Sequence, residues 1–159
     1  MVALAQGAIG VFALVATSRL ALAQRGWPTS PFQVSDFKKL HWIEGRWRGS
    51  APGQASFYEQ YRFVNDSTLE IIYYGDSSFT SSSGRGRVYL TVGRIYHATG
   101  PSLWGASRLD TAGVFFIPQK NASNSVSWSF HSPDQWTATL RSSATGHEQV
   151  TIYQMQRIK

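Results

Sequence analysis

Residues 56–75 read SFYEQYRFVNDSTLEIIYYG, and this stretch decides the fold class of the chain. Two runs rich in aromatic and β-branched residues, 56–63 and 69–75, flank the polar segment 64–68. Such runs on either side of Asn, Asp and Ser are typical of two antiparallel strands joined by a turn. The stretch therefore predicts a β-hairpin.

The length of the loop determines which side chains of the two strands share a face. A two-residue loop and a four-residue loop give the same facing, because side chains alternate along a strand with a period of two. Two carboxylates are then expected among aromatic rings on one face of the hairpin. The residues predicted on that face are Phe57, Glu59, Tyr61, Phe63, Glu70, Ile72 and Tyr74.

The chain after this hairpin predicts further strands and no long amphipathic helix. Strands are expected at 85–97, 102–109, 112–117 and 148–158. A second hairpin needs a loop of odd length to place its apolar residues on one face. That hairpin pairs Val126, Trp128 and Phe130 with Trp136, Ala138 and Leu140. The short spacing of about eight to ten strands predicts an all-β, up-and-down antiparallel barrel, with a β-sandwich as the alternative.

The composition suits one domain and excludes several classes of site. The 159 residues contain no Cys, which rules out disulfides, thiolate zinc sites and Cys nucleophiles. Charged residues make up 15% of the chain and aromatic residues 14%, which favours strands and argues against disorder. The net charge of +6 is scattered, with Arg85, Arg87 and Arg94 as its densest group. We therefore expect no nucleic-acid partner, since such proteins cluster their basic residues on one face.

The first residues have the pattern of a signal peptide. An apolar run over residues 8–16 is followed by Ala21-Leu22-Ala23, which predicts cleavage before Gln24. The alternative, a membrane anchor, is weakened because the run falls short of the ~20 residues that span a bilayer. The predicted organisation is a signal peptide at 1–23, a leader segment at 24–35 and one barrel domain at 36–159. The mature protein is expected in the periplasm or outside the cell, with no stable membrane span.

A short helical turn is predicted before the first strand. Asp36 is a candidate N-cap for residues 37–43, and Gly45 would end the turn. The segment 40–49, LHWIEGRWRG, then resembles the opening of a calycin (lipocalin-like) barrel, in which a helical turn leads into a Gly-x-Trp motif. The resemblance implies that Trp47 closes one end of the barrel and that Arg157, from the last strand, lies over its ring.

The resemblance extends over residues 37–159. The order of the acidic-aromatic strand 57–61 and the late segments 113–118, 136–140 and 150–157 is similar to an uncharacterised calycin-like family of bacterial exported proteins. More distantly, nitrobindin-type haem barrels share the Gly-x-Trp opening, and they need an axial His from a late strand. The late candidates His131 and His147 both fall at predicted turns, so we expect no haem or other cofactor.

No catalytic motif stands out, and the candidate site is a barrel cavity. The chain has no nucleophile elbow, phosphate loop or His-Glu-x-x-His motif, and its four His residues lack metal-ligand spacing. Inward-facing Glu59 and Glu70 could bind a cationic or hydrogen-bonding ligand, act as acid and base, or form core ion pairs with Arg. The predicted ligand-binding residues are Glu59, Tyr61, Glu70, Tyr74, Tyr89, Trp104 and Trp128, with Tyr58, Tyr73 and Tyr96 as further aromatic candidates.

Three functions remain open at this point. The first is an exported protein that binds a small apolar or aromatic molecule in its barrel. The second is an enzyme that uses Glu59 or Glu70 in the cavity. The third is a structural envelope module whose barrel is filled by its own side chains. The sequence assigns no catalytic residue, no metal and no oligomeric state.

Overall fold

Ten antiparallel strands close into an up-and-down barrel in the computed structural model, which describes residues 28–142 and 147–159. The predicted all-β class and barrel architecture are therefore confirmed. The predicted signal peptide, 1–23, and the start of the leader segment lie outside the described residues. The strands are β1 (Gly45–Ser50), β2 (Phe57–Asn65), β3 (Thr68–Tyr74), β4 (Ser82–Thr91), β5 (Arg94–Thr99), β6 (Ser102–Asp110), β7 (Gly113–Lys120), β8 (Asn124–Ser132), β9 (Gln135–Ser142) and β10 (Gln149–Ile158).

A short helical segment precedes the barrel and covers one of its ends. It consists of α1 (Val34–Phe37) and a 3₁₀ helix (Lys38–Ile43). The predicted N-cap was wrong by three residues, because Gln33 holds that position and the Asp36 carboxylate accepts a hydrogen bond from the Gln33 N–H at 2.9 Å. Three apolar side chains of this segment are fully buried against the barrel, namely Phe37, Leu40 and Ile43.

The predicted strand at 85–97 is in fact two strands, β4 and β5. They are joined at Val92 and Gly93, which both have positive φ angles of 46° and 68°. Two consecutive residues in the left-handed region form the tight turn whose twist matches that of a hairpin. The turn was missed because Val seldom adopts this conformation.

The register of β2 and β3 differs from the prediction by one residue. Val64 forms a bulge between the pairs Phe63–Leu69 and Asn65–Thr68. An extra residue on one strand reverses the facing of everything beyond it on the partner strand. Glu59 consequently lies opposite Tyr73, and the inward residues of β3 are Leu69, Ile71 and Tyr73 rather than Glu70, Ile72 and Tyr74.

The second hairpin confirms the prediction made for it. Val126 pairs with Leu140, Trp128 with Ala138 and Phe130 with Trp136, and their side chains share the inner face of the barrel. The turn itself has two residues, Pro133 and Asp134, and a bulge in β8 between Phe130 and Ser132 supplies the odd residue that this pairing requires. In the part of the chain described here, no helix is both long and apolar enough to cross a membrane.

Candidate functional site

The end of the barrel next to the helical segment is closed by Trp47 and Arg157. The Trp47 side chain is fully buried, and its Nε1–H donates a hydrogen bond to the Ile43 carbonyl at 2.6 Å. The Arg157 guanidinium lies 4.2 Å from the centroid of the Trp47 ring, a cation–π geometry. It also donates to three backbone carbonyls, at 2.6 Å to Glu44, 2.6 Å to Pro133 and 3.1 Å to Trp42. This end of the barrel is a packed floor.

The other half of the barrel holds a cavity of about 340 Å³. A single water needs roughly 10–15 Å³ by this kind of measure, so the space is large enough for a small organic molecule. The wall is mostly aromatic and aliphatic. It is lined by Phe57, Glu59, Tyr61, Ile71, Tyr73, His97, Thr99, Trp104, Asn124, Val126, Trp128, Trp136, Ala138, Leu140, Tyr153 and Met155.

Glu59 is the acidic residue among these lining side chains. The Tyr61 hydroxyl donates a hydrogen bond of 2.6 Å to its Oε2 atom. Burial removes water from the carboxylate and raises the pKa of Glu59 to about 7, with the Tyr61 hydrogen bond acting in the opposite direction. Burial and the Glu59 charge also raise the pKa of Tyr61 well above its usual value, so this hydroxyl remains a donor. The carboxyl thus titrates near neutral pH.

A hydrogen-bonded chain lies beside this carboxyl. The Tyr73 and Thr99 hydroxyls are 2.7 Å apart, and Thr99 Oγ1 lies 3.3 Å from His97 Nε2. Burial lowers the pKa of His97 to about 4, which keeps the imidazole neutral at neutral pH. Its Nδ1 atom is buried and has no hydrogen-bond partner among the described residues. His97 therefore supplies a polar but uncharged edge to the cavity.

Aromatic rings form a continuous path from the floor to the cavity. Trp136 packs edge-on against Trp47 at 6.0 Å and against Trp128 at 5.8 Å between ring centroids. Trp128 in turn lies 5.2 Å from the His97 ring, which stacks on Trp104 at 5.3 Å. The Trp104 Nε1–H donates to the Asn124 carbonyl at 2.8 Å, which fixes this ring across the inner face of β7. These contacts connect the cavity wall to the packed floor.

Four of the predicted ligand-binding residues line the cavity, namely Glu59, Tyr61, Trp104 and Trp128. The other three, Glu70, Tyr74 and Tyr89, do not, and their inward placement was wrong. Glu70 lies on the outer face, where its carboxylate binds Arg62 at 2.6 Å and Arg85 at 2.8 Å. These hydrogen bonds to Arg62 and Arg85 lower the pKa of Glu70.

Tyr74 and Tyr89 were predicted to face inward, but both lie on the outer faces of their strands. Tyr74 belongs to the outer face once the Val64 bulge sets the register of β3. Its hydroxyl bonds Gln60 at 3.1 Å, and its ring packs on Phe79 at 5.0 Å. Tyr89 stacks on Tyr96 at 5.6 Å on the outside of the barrel. Neither ring can contact a molecule held in the cavity.

His97, Thr99 and Trp136 also line the cavity, although the sequence did not predict them there. His97 and Thr99 lie at the end of a strand that was predicted to stop at residue 97. The turn at Val92 and Gly93 is the signal that would have found β5 and its alternation. Trp136 was recognised only as an inward residue of the second hairpin.

Two observations concern candidate metal and haem ligands in the described parts of the chain. Residues 28–142 and 147–159 contain no cluster of three or more His, Asp or Glu side chains that could hold a metal ion. His131 and His147, the late-strand candidates for a haem ligand, are both exposed. His131 bonds the Thr137 hydroxyl at 3.1 Å on the outer surface.

Comparison with known proteins assigns no family to this chain. No family model matches the chain, and no curated protein does. Among solved structures, the chain is similar to a redesigned β-barrel, with 14% sequence identity and a TM-score of 0.37. The similar region covers 74% of this chain and 93% of the redesigned protein. The barrel itself rests on the strand pairing described above, and a function has to be argued from the cavity.

Proposed function

We propose that this chain is an exported protein that binds a small aromatic or apolar molecule inside its barrel. The observation that carries the proposal is the cavity of about 340 Å³ with its aromatic wall and single carboxyl. Small-molecule sites are concave, mostly apolar and furnished with few polar groups, and their volumes start near ~300 Å³. The cavity fits that description, and its size argues against a barrel filled by its own side chains.

The calycin assignment belongs to the same proposal. It is supported by the Gly45-Arg46-Trp47 motif at the start of β1 and by the position of Arg157 over the Trp47 ring. A calycin-type barrel with one packed floor and one open half is well suited to hold a ligand. Export to the periplasm or beyond is supported by the signal-like residues 1–23, and cleavage before Gln24 is testable by N-terminal sequencing of the mature protein.

A second candidate function is an enzyme that uses Glu59 as a general acid or base. It is favoured by the pKa of about 7 for this carboxyl, since a catalytic acid or base works best near the ambient pH. Glu70 has no part in this alternative, because it is paired with two arginines on the outer face. Glu59→Gln separates the two functions for an apolar ligand: an enzyme loses turnover, whereas a binding protein keeps its affinity.

The test is native mass spectrometry of the protein purified from its own host. We expect a population whose mass exceeds that of the mature chain by the mass of one small molecule. The matched control is Ala138→Phe, because Ala138 lines the cavity and a benzyl group there would occupy part of the space a ligand needs. The control variant should fold and lack the added mass.

Two results would overturn the proposal. One is a protein that carries nothing from its host and binds none of a panel of small aromatic compounds by calorimetry. The other is a bound molecule that Ala138→Phe retains at full occupancy, which would locate it outside the cavity.

A further inference from the structure

We propose that the cavity selects small aromatic amines in their ammonium form, with Glu59 as the counter-ion and the Trp128 and Trp104 rings as the cation-binding wall. The inference rests on the proposed function and names the chemical class of its ligand. It follows from three properties of the wall: an acid without a cation, a group of electron-rich rings, and a neutral histidine.

The Glu59 carboxylate has no cationic partner among the described residues. The residues that line the cavity in the described part of the chain include no Lys and no Arg. Arg157, the cation at the floor, is already held by three carbonyls and the Trp47 face. Oε2 accepts the Tyr61 hydroxyl, while no hydrogen bond from a described residue occupies Oε1. A ligand N–H⁺ group at Oε1 would complete the pair, and a charge-assisted hydrogen bond of this kind is among the strongest available.

The rings around Glu59 suit a cation as well as an aromatic body. Tyr61 lies edge-on to Trp128 at 5.7 Å, and Trp104 completes the wall next to His97. The faces of Trp and Tyr attract ammonium groups, most strongly where water is excluded. A ligand with a flat ring and a short ammonium arm would use both the apolar wall and the carboxylate, whereas an anionic ligand would meet the Glu59 charge.

The remaining titratable groups that face the cavity add no positive charge. Tyr61 comes from β2, Tyr73 from β3, His97 from β5 and Tyr153 from β10. Burial raises the pKa of Tyr73 to about 12 and lowers that of His97 to about 4, so both are neutral near pH 7. Ionisation of Glu59 is then the event that makes the cavity competent for a cation.

The experiment is calorimetric titration of the full mature chain with three probes of matched shape. These are 2-phenylethylamine, the neutral 2-phenylethanol and the anionic 3-phenylpropanoate. At about pH 8 we expect the amine to bind about ten- to a hundredfold more tightly than the alcohol. The amine should bind about tenfold more weakly at about pH 6 than at about pH 8, because the competent, ionised fraction of Glu59 falls by that factor.

Two variants locate the effect. Glu59→Gln should reduce amine affinity to the level of the alcohol and leave alcohol affinity unchanged. Glu70→Gln is the matched control, since Glu70 lies on the outer face and is paired with Arg62 and Arg85. It should leave the affinities for all three probes unchanged.

The outcomes separate this inference from the proposed function. If alcohol and amine bind equally, or if the carboxylate probe binds most tightly, the amine inference is wrong while the binding function stands. If the amine preference survives in Glu59→Gln, the inference is also wrong. If none of the three probes binds and the native protein carries no molecule, both proposals fail.

Discussion

Glu59 and His97 are predicted to make opposite contributions to the pH dependence of stability. The pKa of Glu59 rises from 4.5 to about 7 on folding, and that of His97 falls from 6.5 to about 4. Between about pH 4.5 and pH 7 the folded state holds the Glu59 proton more tightly than the unfolded chain does, so stability falls as pH rises. Between about pH 4 and pH 6.5 the unfolded chain holds the His97 proton more tightly, so stability rises with pH.

The two effects have similar sizes. A difference of one pKa unit between states corresponds to about 1.4 kcal/mol, so each group contributes at most about 3 kcal/mol across its own range. The Glu59 value is an upper limit, because this residue is only partly buried and solvent screening reduces the contribution of its charge. The contributions nearly cancel where the two ranges overlap, and the protein should show a flat profile there from this pair.

Single variants should show the separate pH dependences of Glu59 and His97, which nearly cancel in the parent protein. The free energy of unfolding of Glu59→Gln, measured in urea between about pH 4.5 and pH 8, should be compared with that of the parent protein. As pH rises, the difference should shift in favour of the variant by up to about 3 kcal/mol. His97→Phe keeps an aromatic ring next to Trp104 and Phe116. As pH rises through the lower half of that range, the stability of this variant relative to the parent should fall. Differences between variant and parent cancel the contributions of all other titrating groups.

Glu70→Gln is the control of opposite sign. The pKa of Glu70 is lowered by hydrogen bonds to Arg62 and Arg85, so its contribution is present above the unfolded pKa and is lost as pH falls through the folded pKa. Its difference from the parent should therefore be constant between about pH 5 and pH 8. Parallel curves for Glu59→Gln and the parent protein over that range would refute the reasoning, because they would mean that Glu59 titrates like an exposed carboxyl.

Three further predictions concern the floor and the register. Arg157→Ala should lower the free energy of unfolding in urea by about 2–4 kcal/mol, since it removes the contact with Trp47 and the donors to three carbonyls. A loss under about 1 kcal/mol would contradict a stabilising role for the floor. Gly45→Ala should lower the free energy of unfolding by about 1–3 kcal/mol, because Gly45 has a φ of 130° and a Cβ there would clash with Arg157 Nη1. In an Arg157→Ala background part of that loss should disappear, and full additivity of the two changes would show that the clash is unimportant. Deletion of Val64 should keep the β2–β3 register and lower the free energy of unfolding by less than about 1 kcal/mol, since the bulged residue is half exposed. The effect of Glu59→Gln on the pH dependence of stability should persist in the deletion variant. Its loss would mean that Glu59 had turned to the other face of the strand.

The sequence predicts the fold more completely than it predicts the residues of the site. Strand-forming runs and turn residues predict an all-β barrel, because alternation is a local property that each segment carries by itself. The second hairpin was predicted correctly because six apolar residues in 126–140 have to share the inner face, which requires an odd number of residues between Phe130 and Trp136. The first hairpin has aromatic residues on both faces, so burial did not decide between its two registers. The Val64 bulge decided it, and bulges have no reliable sequence signature.

That one bulge separates the two acids. With Val64 counted as an ordinary strand residue, Glu59 and Glu70 share a face and form a candidate catalytic pair. With Val64 bulged, Glu59 enters the cavity alone, and Glu70 joins Arg62 and Arg85 outside. The chemistry of the site therefore changes from a pair of carboxyls to a single carboxyl among neutral groups. No local propensity carries this distinction, since it depends on the pairing of both strands along their full length.

The solitary position of Glu59 is also an argument about what the barrel is for. Its ionisation opposes folding at neutral pH, and Gln at this position would keep the shape and the Tyr61 contact without that opposition. Gly86 leaves room for the Tyr73 hydroxyl at the cavity wall, since a Cβ at Gly86 would lie 2.5 Å from that oxygen. A barrel selected for stability alone would fill this space and remove the charge. Retaining an ionisable carboxyl in an open aromatic cavity is a stability cost of the kind that binding sites carry. Glu59→Gln should therefore be more stable and less able to bind a cation.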